Sequence, residues 1–427
     1  MKHLMLLAVV LTPGLAAPVA RAEAEAGWPI AVGDKPMPRQ QAIDAVAESI
    51  NGFTFDLYRA ATAEAKGNVV ISPFSVQTAL SMTMAGARGR TADEMYGAMQ
   101  YPATRKTPPP GYDLPFPLPA WDHRRVHGPV GALAQSIAEI TEAQQVELAL
   151  ANRIWPARGE QLKPAFTKTL KDHYDAGVTA VTYPEPGRTQ INQWVSDQTR
   201  EKIPELLKRP NVDKGTALVL VNAIYLKADW ARQFDPEKTT EQTFHVSAEK
   251  TIKTPFMHMN AELPVTQWAD VTAVRLDYAG GRLQALLLLP DAGKPLDALE
   301  KWLSPVSLDR LIERGKARQV DLALPKFEFR WRRELSAPLQ TMGMKRPFQP
   351  GADFSGINGG GLFISQVIHE AYLKVDEAGS EAAAATAVVM RQAERESLRV
   401  AFERPFMMLI RDRKTGAVLF VGRVSEP

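Results

Sequence analysis

Asp376-Glu377-Ala378-Gly379-Ser380-Glu381-Ala382-Ala383-Ala384-Ala385-Thr386-Ala387-Val388-Val389-Met390 is the stretch on which the reading of this chain turns. By intrinsic propensity Glu381 to Ala387 should be helical, because alanine is the best helix former. A helix there would lack a distinct apolar face in its first two turns. It would also lie between two strand-like runs, Leu362 to Val375 and Val400 to Ile410. Composition alone reads the segment as a surface helix or a low-complexity linker.

Outward from this stretch, helical patterns crowd the first half of the chain and strand patterns the second. Ala42 to Ala60 places Ile43, Val46, Ile50, Phe53 and Leu57 on one helical face. Ser72-Pro73 is a cap residue followed by proline at the first helical position, and Val76, Leu80 and Met84 carry that helix to Gly86. Thr91 with Glu94 three residues on predicts a capping box for a third helix. Helical spacing resumes at Leu133 to Ile140 and again over Gln190 to Leu207. Ala217 to Leu226 is almost wholly apolar and reads as a strand buried on both faces. Leu283 to Leu289 is another, and Val320 to Phe329 alternates. Phe406 to Arg411 and Ala417 to Val424, joined through Asp412 to Gly416, predict a hairpin. Helices first and strands later argue for α+β architecture rather than βαβ alternation. No Pro-Gly linker separates two cores, so a single large domain is expected.

Several function classes fall away. The 51 Lys and Arg against 48 Asp and Glu leave a net charge of +3, with no basic footprint for nucleic acid. The densest basic group, His123-Arg124-Arg125-Val126-His127, reads as a solvated loop, with a polyanion contact as the functional alternative. The absence of cysteine removes disulfides, thiolate catalysis and Cys-ligated metals. No Gly-x-Ser-x-Gly elbow occurs, and His369-Glu370 has no second histidine at zinc spacing. Gly359-Gly360-Gly361 reads as a loop rather than a phosphate cradle. An enzyme is therefore not expected, and neither a cofactor nor a metal.

The N-terminus reads as a signal peptide over residues 1–22. Lys2 supplies its charge, Leu4 to Leu11 its apolar centre, and Ala20-Arg21-Ala22 its cleavage site. The apolar run is too short to span a bilayer. Residues 23–41 follow as a flexible lead-in, and the domain is expected over 42–427. The proline-rich residues 102–126 read as an inserted, exposed loop. The protein is expected to be exported, either secreted or periplasmic.

An ordered set of short motifs runs through this domain. Asn68-Val69-Val70-Ile71-Ser72-Pro73-Phe74-Ser75 comes first, then Leu150-Ala151-Asn152-Arg153-Ile154-Trp155 and Asn192-Gln193-Trp194-Val195. Leu220-Val221-Asn222-Ala223-Ile224-Tyr225-Leu226-Lys227 precedes Trp230. Leu324-Pro325-Lys326-Phe327, Met342-Gly343-Met344, Arg404-Pro405-Phe406 and Leu419-Phe420-Val421-Gly422-Arg423-Val424 complete it. Each resembles a signature of the serpins, a family of serine protease inhibitors, and they fall in serpin order. The resemblance implies a dominant mixed β-sheet, smaller sheets, eight or nine helices and an exposed reactive loop over 376–400. In that family a protease attacks the loop as a substrate, and the cleaved loop then inserts into the main sheet as a new strand. The proline-rich insertion departs from the family pattern.

On this resemblance the hinge maps to Glu377, Gly379, Ser380, Glu381, Ala382, Ala383, Ala384, Ala385 and Thr386. The residues suit insertion physically. In a strand Ser380, Ala382, Ala384, Thr386 and Val388 would share the packed face, all small or β-branched, with Glu381 toward water. Nothing from Ala382 to Met390 is charged or proline, so no buried charge or missing ladder donor opposes insertion. Gly379 offers a pivot. Ser380 to Ala393 would span roughly 45 Å as a strand. About ten new ladder hydrogen bonds at roughly 1 kcal/mol net each would help drive the change from a kinetically held state. The family's control of sheet opening maps to Ser72, Ser75, Asn222 and His369, with Trp230 where insertion begins. Counting by family spacing from Gly379 puts the reactive bond at Ala393–Glu394, an elastase-like preference. A count back from Pro405 moves recognition to Glu394, and Arg391 and Arg395 are alternatives for trypsin-like proteases.

The function implied is suicide-substrate inhibition, with the target serine protease as covalent partner, no nucleic acid, no membrane span and a monomeric inhibitor. A non-inhibitory serpin acting as a binding or structural protein is the alternative. A secreted hydrolase is third, without any motif in its favour.

Overall fold

The apolar stripe at Ile43, Val46, Ile50, Phe53 and Leu57 is buried along a 24-residue helix, as its spacing predicts. The structure, a computed structural model, describes residues 28–32, 35–101, 126–140, 146–380 and 397–427. The expected signal peptide lies outside the described residues, as does the insertion except for Val126.

Strands β1 (Trp28–Val32) and β2 (Lys35–Met37) occupy part of the expected lead-in, ahead of α1 (Arg39–Thr62). Then come β3 (Val69–Ile71), α2 (Pro73–Met84), α3 (Gly89–Ala98) and α4 (His127–Ala138). β4 (Val146–Pro156), α5 (Pro164–Tyr174), β5 (Gly177–Val178), α6 (Gly187–Gln198) and β6 (Leu218–Asp229) follow. The second half holds β7 (Thr240–His245), β8 (Thr251–Trp268), β9 (Val271–Asp277), β10 (Leu283–Pro290), α7 (Leu296–Trp302) and α8 (Pro305–Glu313). It closes with β11 (Lys316–Pro325), β12 (Phe327–Glu334), α9 (Ser336–Thr341), β13 (Ile368–Val375), β14 (Gly379–Ser380), β15 (Leu398–Ala401), β16 (Phe406–Asp412) and β17 (Val418–Val424). Nine α-helices among the described residues, one large mixed sheet and smaller sheets make the α+β architecture that the sequence implies.

The largest sheet has nine strands, in the order β15-β11-β8-β9-β10-β16-β17-β3 with β7 on β8. Among the described residues only β11 and β15 pair in parallel within it. Its centre is β10, buried at every residue, flanked by β9 and the β16–β17 hairpin. A second sheet runs β14-β6-β4-β5, and β12 with β13 forms a separate two-stranded ribbon. Among the described residues no ladder joins β6 to β13. Helix α2 packs against β6 and its buried residues belong to the main core. A smaller core of Trp155, Ile191, Val195, Ile203, Leu206 and Val221 lies under α6 and the segment after it.

Several sequence expectations need correction. Thr91 lies inside α3 rather than capping it; its hydroxyl accepts from the Asp353 N–H, and Glu94 accepts from the Lys345 N–H. Tertiary partners thus claim both capping-box residues. Helix α4 begins at His127, ahead of the Leu133 where apolar spacing resumes. Helix α6 stops at Gln198, because Arg200 and Glu201 take left-handed backbone at φ 51° and 61°. Ile203 and Leu206 are still buried, which is why their spacing looked helical. Val320 to Phe329 is two strands broken at Lys326, and Leu362 to Val367 is not strand. Leu218, Val219 and Leu220 of β6 are only half-buried, because that strand borders an unfilled edge.

Candidate functional site: a hinge at the head of an open sheet

Strand β13 ends at Val375, and the chain reverses through Asp376, Glu377 and Ala378 before β14. The turn holds itself together. Asp376 N–H donates to the Gly379 carbonyl at 2.9 Å, and the Asp376 carboxylate accepts from the Ala378 and Gly379 N–H groups. β14 then pairs antiparallel with the end of β6, Gly379 opposite Asp229 and Ser380 opposite Ala228. Only glycine serves at 379. Its φ is +150°, and a Cβ there would lie 2.1 Å from the Ala228 carbonyl oxygen. Ala228, across from Ser380, is fully buried.

Trp230, just past β6, is buried and stacked on Tyr278 with centroids 4.4 Å apart. Its indole N–H donates to the Asp376 carbonyl at 3.1 Å and its backbone N–H to Ala378 at 2.8 Å. The Phe234 N–H reaches the Glu377 carbonyl at 2.8 Å. The Glu377 carboxylate takes Lys326 Nζ at 2.7 Å and the Thr239 hydroxyl at 2.7 Å. Burial pushes this carboxyl up, but the hydrogen bonds from Lys326 and Thr239 outweigh it and leave it below the usual range. Trp230, Glu377, Gly379 and Ser380 therefore meet in one place. Lys326, Thr239, Tyr278 and Asp376 complete the cluster, although the sequence reading did not single them out as site residues. Lys326 stood within a quoted motif, but its role depends on a partner far along the chain.

A second cluster lies deeper. Ser72 caps α2, its hydroxyl accepting from the Ser75 N–H at 3.3 Å, and both serines are buried. The Ser72 N–H donates to His369 Nε2 at 3.1 Å. That bond needs an unprotonated Nε2, so His369 is neutral with its proton on Nδ1. Burial holds its pKa down at about 4. This bond ties the start of α2 to β13. Asn222 sits on β6 in register with Asn152. Between β6 and β13 lies a cavity of about 300 Å³, lined by Val76 and Leu80 of α2, Leu220 of β6 and His369 of β13.

The hinge residues Glu381, Ala382, Ala383, Ala384, Ala385 and Thr386 lie outside the described residues, as do Arg391, Ala393, Glu394 and Arg395. Among the described residues no His, Cys, Asp and Glu cluster could hold a metal ion, and no helix is long and apolar enough to cross a membrane.

The family model for Serpin (serine protease inhibitor) matches residues 48–427. The chain belongs to the serpin family. This serpin is 36% identical over 390 residues to a serpin-like protein of Thermococcus kodakarensis, covering 90% of this chain and 86% of the relative. It is 34% identical over 387 residues to the leukocyte elastase inhibitor of Xenopus laevis, covering 88% and 97%. Among solved structures, human thyroxine-binding globulin in complex with thyroxine superposes with a TM-score of 0.78 at 28% identity, covering 90% of this serpin and 99% of that chain. Uncleaved ovalbumin gives 0.77 at 25% identity, covering 90% and 100%.

Proposed function

We propose that this serpin is a suicide-substrate inhibitor of serine proteases, with elastase-like preference. One observation carries the reading. Gly379 and Ser380 already pair with β6 at the head of an opening that no ladder closes among the described residues. A strand continuing from Ser380 would run down that opening, satisfying the free edge of β6. The kinship with leukocyte elastase inhibitors adds support.

On this reading the protease's serine oxygen attacks the Ala393 carbonyl carbon. The Ala393–Glu394 amide breaks, the new Glu394 amine takes the proton given up by the serine, and Ala393 is left esterified to the protease. Insertion of the freed strand then carries the acyl-enzyme to the far end of the sheet before water completes hydrolysis. Glu394 is the second choice as recognition residue, and cleavage at Arg391 or Arg395 changes the inserted length and favours turnover. The inhibitor itself catalyses nothing. We read residues 1–22 as an export signal and the mature inhibitor as a monomer, meeting its protease in the periplasm or outside the cell.

A second reading, a non-inhibitory serpin that binds or carries, draws on the likeness to thyroxine-binding globulin and ovalbumin. The small residues from Ser380 to Thr386 argue against it, since nothing bulky or charged opposes insertion on the packed face. The test is to mix the mature protein with elastase-like, trypsin-like and Glu-specific proteases and run denaturing gels. A covalent complex that survives SDS supports inhibition. Clean cleavage with no complex and no rise in Tm refutes it.

A further inference from the structure

At the outer edge of the second sheet β4 pairs with the short β5, Arg153 with Gly177 and Ile154 with Val178. Residues of β4, α5, β5 and α6 line a hollow there of about 740 Å³, within the range of small-molecule sites. It shares no lining residue with the cavity between β6 and β13.

Arg153 lines this hollow without a carboxylate partner. Its guanidinium carbon lies 5.1 Å from the Trp194 ring centroid and 5.5 Å from that of Trp155. Nη1 donates to the Thr179 hydroxyl at 3.1 Å, which is the side chain's one hydrogen bond among the described residues. Nε is buried without a partner. Gly177 keeps the space beside the fork clear, since a Cβ there would sit 3.5 Å from Nε and Nη2. The other charges of the hollow do not neutralise Arg153. Lys168 and Asp172 satisfy each other at 2.5 Å. Asn152 Nδ2 takes the Tyr174 carbonyl at 3.0 Å, so an acceptor at the C-terminus of α5 is already spent. Arg153 and Lys171 remain as two cations against one carboxylate, Asp175, and none of the three has an ion pair among the described residues. Half-buried Trp194 offers a ring and Val178, 47% exposed, an apolar shoulder.

We propose that this hollow binds a small aromatic carboxylate, its oxyanion held by Arg153 and Lys171 and its ring laid against Trp194. The site goes beyond the inhibitory reading and does not depend on it. Nη2 of Arg153 and Nζ of Lys171 supply two charge-assisted donors for one carboxylate. The flanking tryptophans hold the guanidinium in place, so little side-chain freedom is lost when the anion arrives. A bare inorganic anion would leave the ring and Val178 in water, and an uncharged ring would leave Arg153 unpaired, so the ligand needs both parts. Asp175 repels the same anion, and single substitutions therefore shift affinity in opposite directions.

The test titrates the protein with 2-naphthoate and follows the Trp194 indole N–H resonance, identified by its loss in Trp194→Phe. Saturation at one molecule per chain is expected, with acetate and 2-naphthol binding at least about tenfold more weakly and affinity falling as salt rises. Lys171→Ala should weaken binding about fivefold, and Asp175→Asn should tighten it about threefold, the scale of exposed charges. Arg153→Met should weaken it about 30-fold, the scale of a lost charge-assisted hydrogen bond. Lys316→Ala, exposed on β11, should bind as wild type. Failure to saturate, acetate or 2-naphthol binding as tightly as 2-naphthoate, or weaker binding in Asp175→Asn overturns the proposal. Should Arg153→Met not fold, Lys171→Ala and Asp175→Asn decide, both at exposed positions, and unchanged affinity in the two overturns it. Each of these failures leaves the inhibitory reading standing.

Discussion

Lys326 Nζ lies 2.7 Å from the Glu377 carboxylate, so the residue before β12 is tied to the turn between β13 and β14. The pair is partly exposed, which limits its worth to about 1 kcal/mol. Lys326→Ala should therefore cost little global stability but loosen the turn. The Trp230 and Phe234 amides, which donate to Ala378 and Glu377, report on that directly. Their hydrogen exchange should quicken in Lys326→Ala; unchanged protection would show that Thr239 alone holds Glu377.

Gly379→Ala tests the close approach to β6. A methyl group at 2.1 Å from the Ala228 oxygen cannot be accommodated, and φ +150° is unfavourable for alanine. Either β14 leaves β6 or the end of β6 shifts, at a cost of about 1–3 kcal/mol. A lowered Tm with faster exchange around Ala228 to Trp230 is the expected result. A wild-type Tm would mean that the β14–β6 pairing contributes nothing to the native state.

His369 predicts how stability varies with pH. Its folded pKa, about 4, lies below the ordinary value of 6.5. Between those values the unfolded chain binds the proton and the folded one does not, so stability rises with pH. The contribution is full above pH 6.5 and is lost as pH falls toward 4, amounting to about 3 kcal/mol. Denaturant midpoints across that range should fall more steeply for wild type than for His369→Gln. Parallel slopes would place the titration elsewhere.

Ser380→Glu tests the inhibitory reading through the register. Ser380 pairs with Ala228, which is fully buried, so a carboxylate at that position opposes insertion. The variant should be cleaved by the target protease as a substrate, with little covalent complex on denaturing gels. Complex formation equal to wild type would argue that insertion does not proceed along β6.

The motifs that carried the family resemblance are local. Ser72-Pro73 signals a helix start whatever surrounds it, and Ser72 does cap α2. The apolar run at Leu283 to Leu289 is a fully buried strand because it is too short and too apolar for anything exposed. Local rules misled where tertiary partners compete for the same groups. Thr91 and Glu94 match a capping box, yet Asp353 and Lys345 take their hydrogen bonds. Ile203 and Leu206 keep helical spacing, but left-handed residues at 200 and 201 end the helix before them.

The sequence by itself determined the α+β class, the positions of the main helices and central strands, and the run of small side chains after Gly379. These follow from propensity, periodicity and side-chain size, which neighbouring residues encode. The tertiary structure decided the rest. It left β6 and β13 without a shared ladder among the described residues, and it chose Lys326 and Thr239 as partners for Glu377. It also joined the segment after α6 to Arg332 of β12. Those features join residues 51 to more than 130 positions apart, and no local pattern encodes which distant groups will meet.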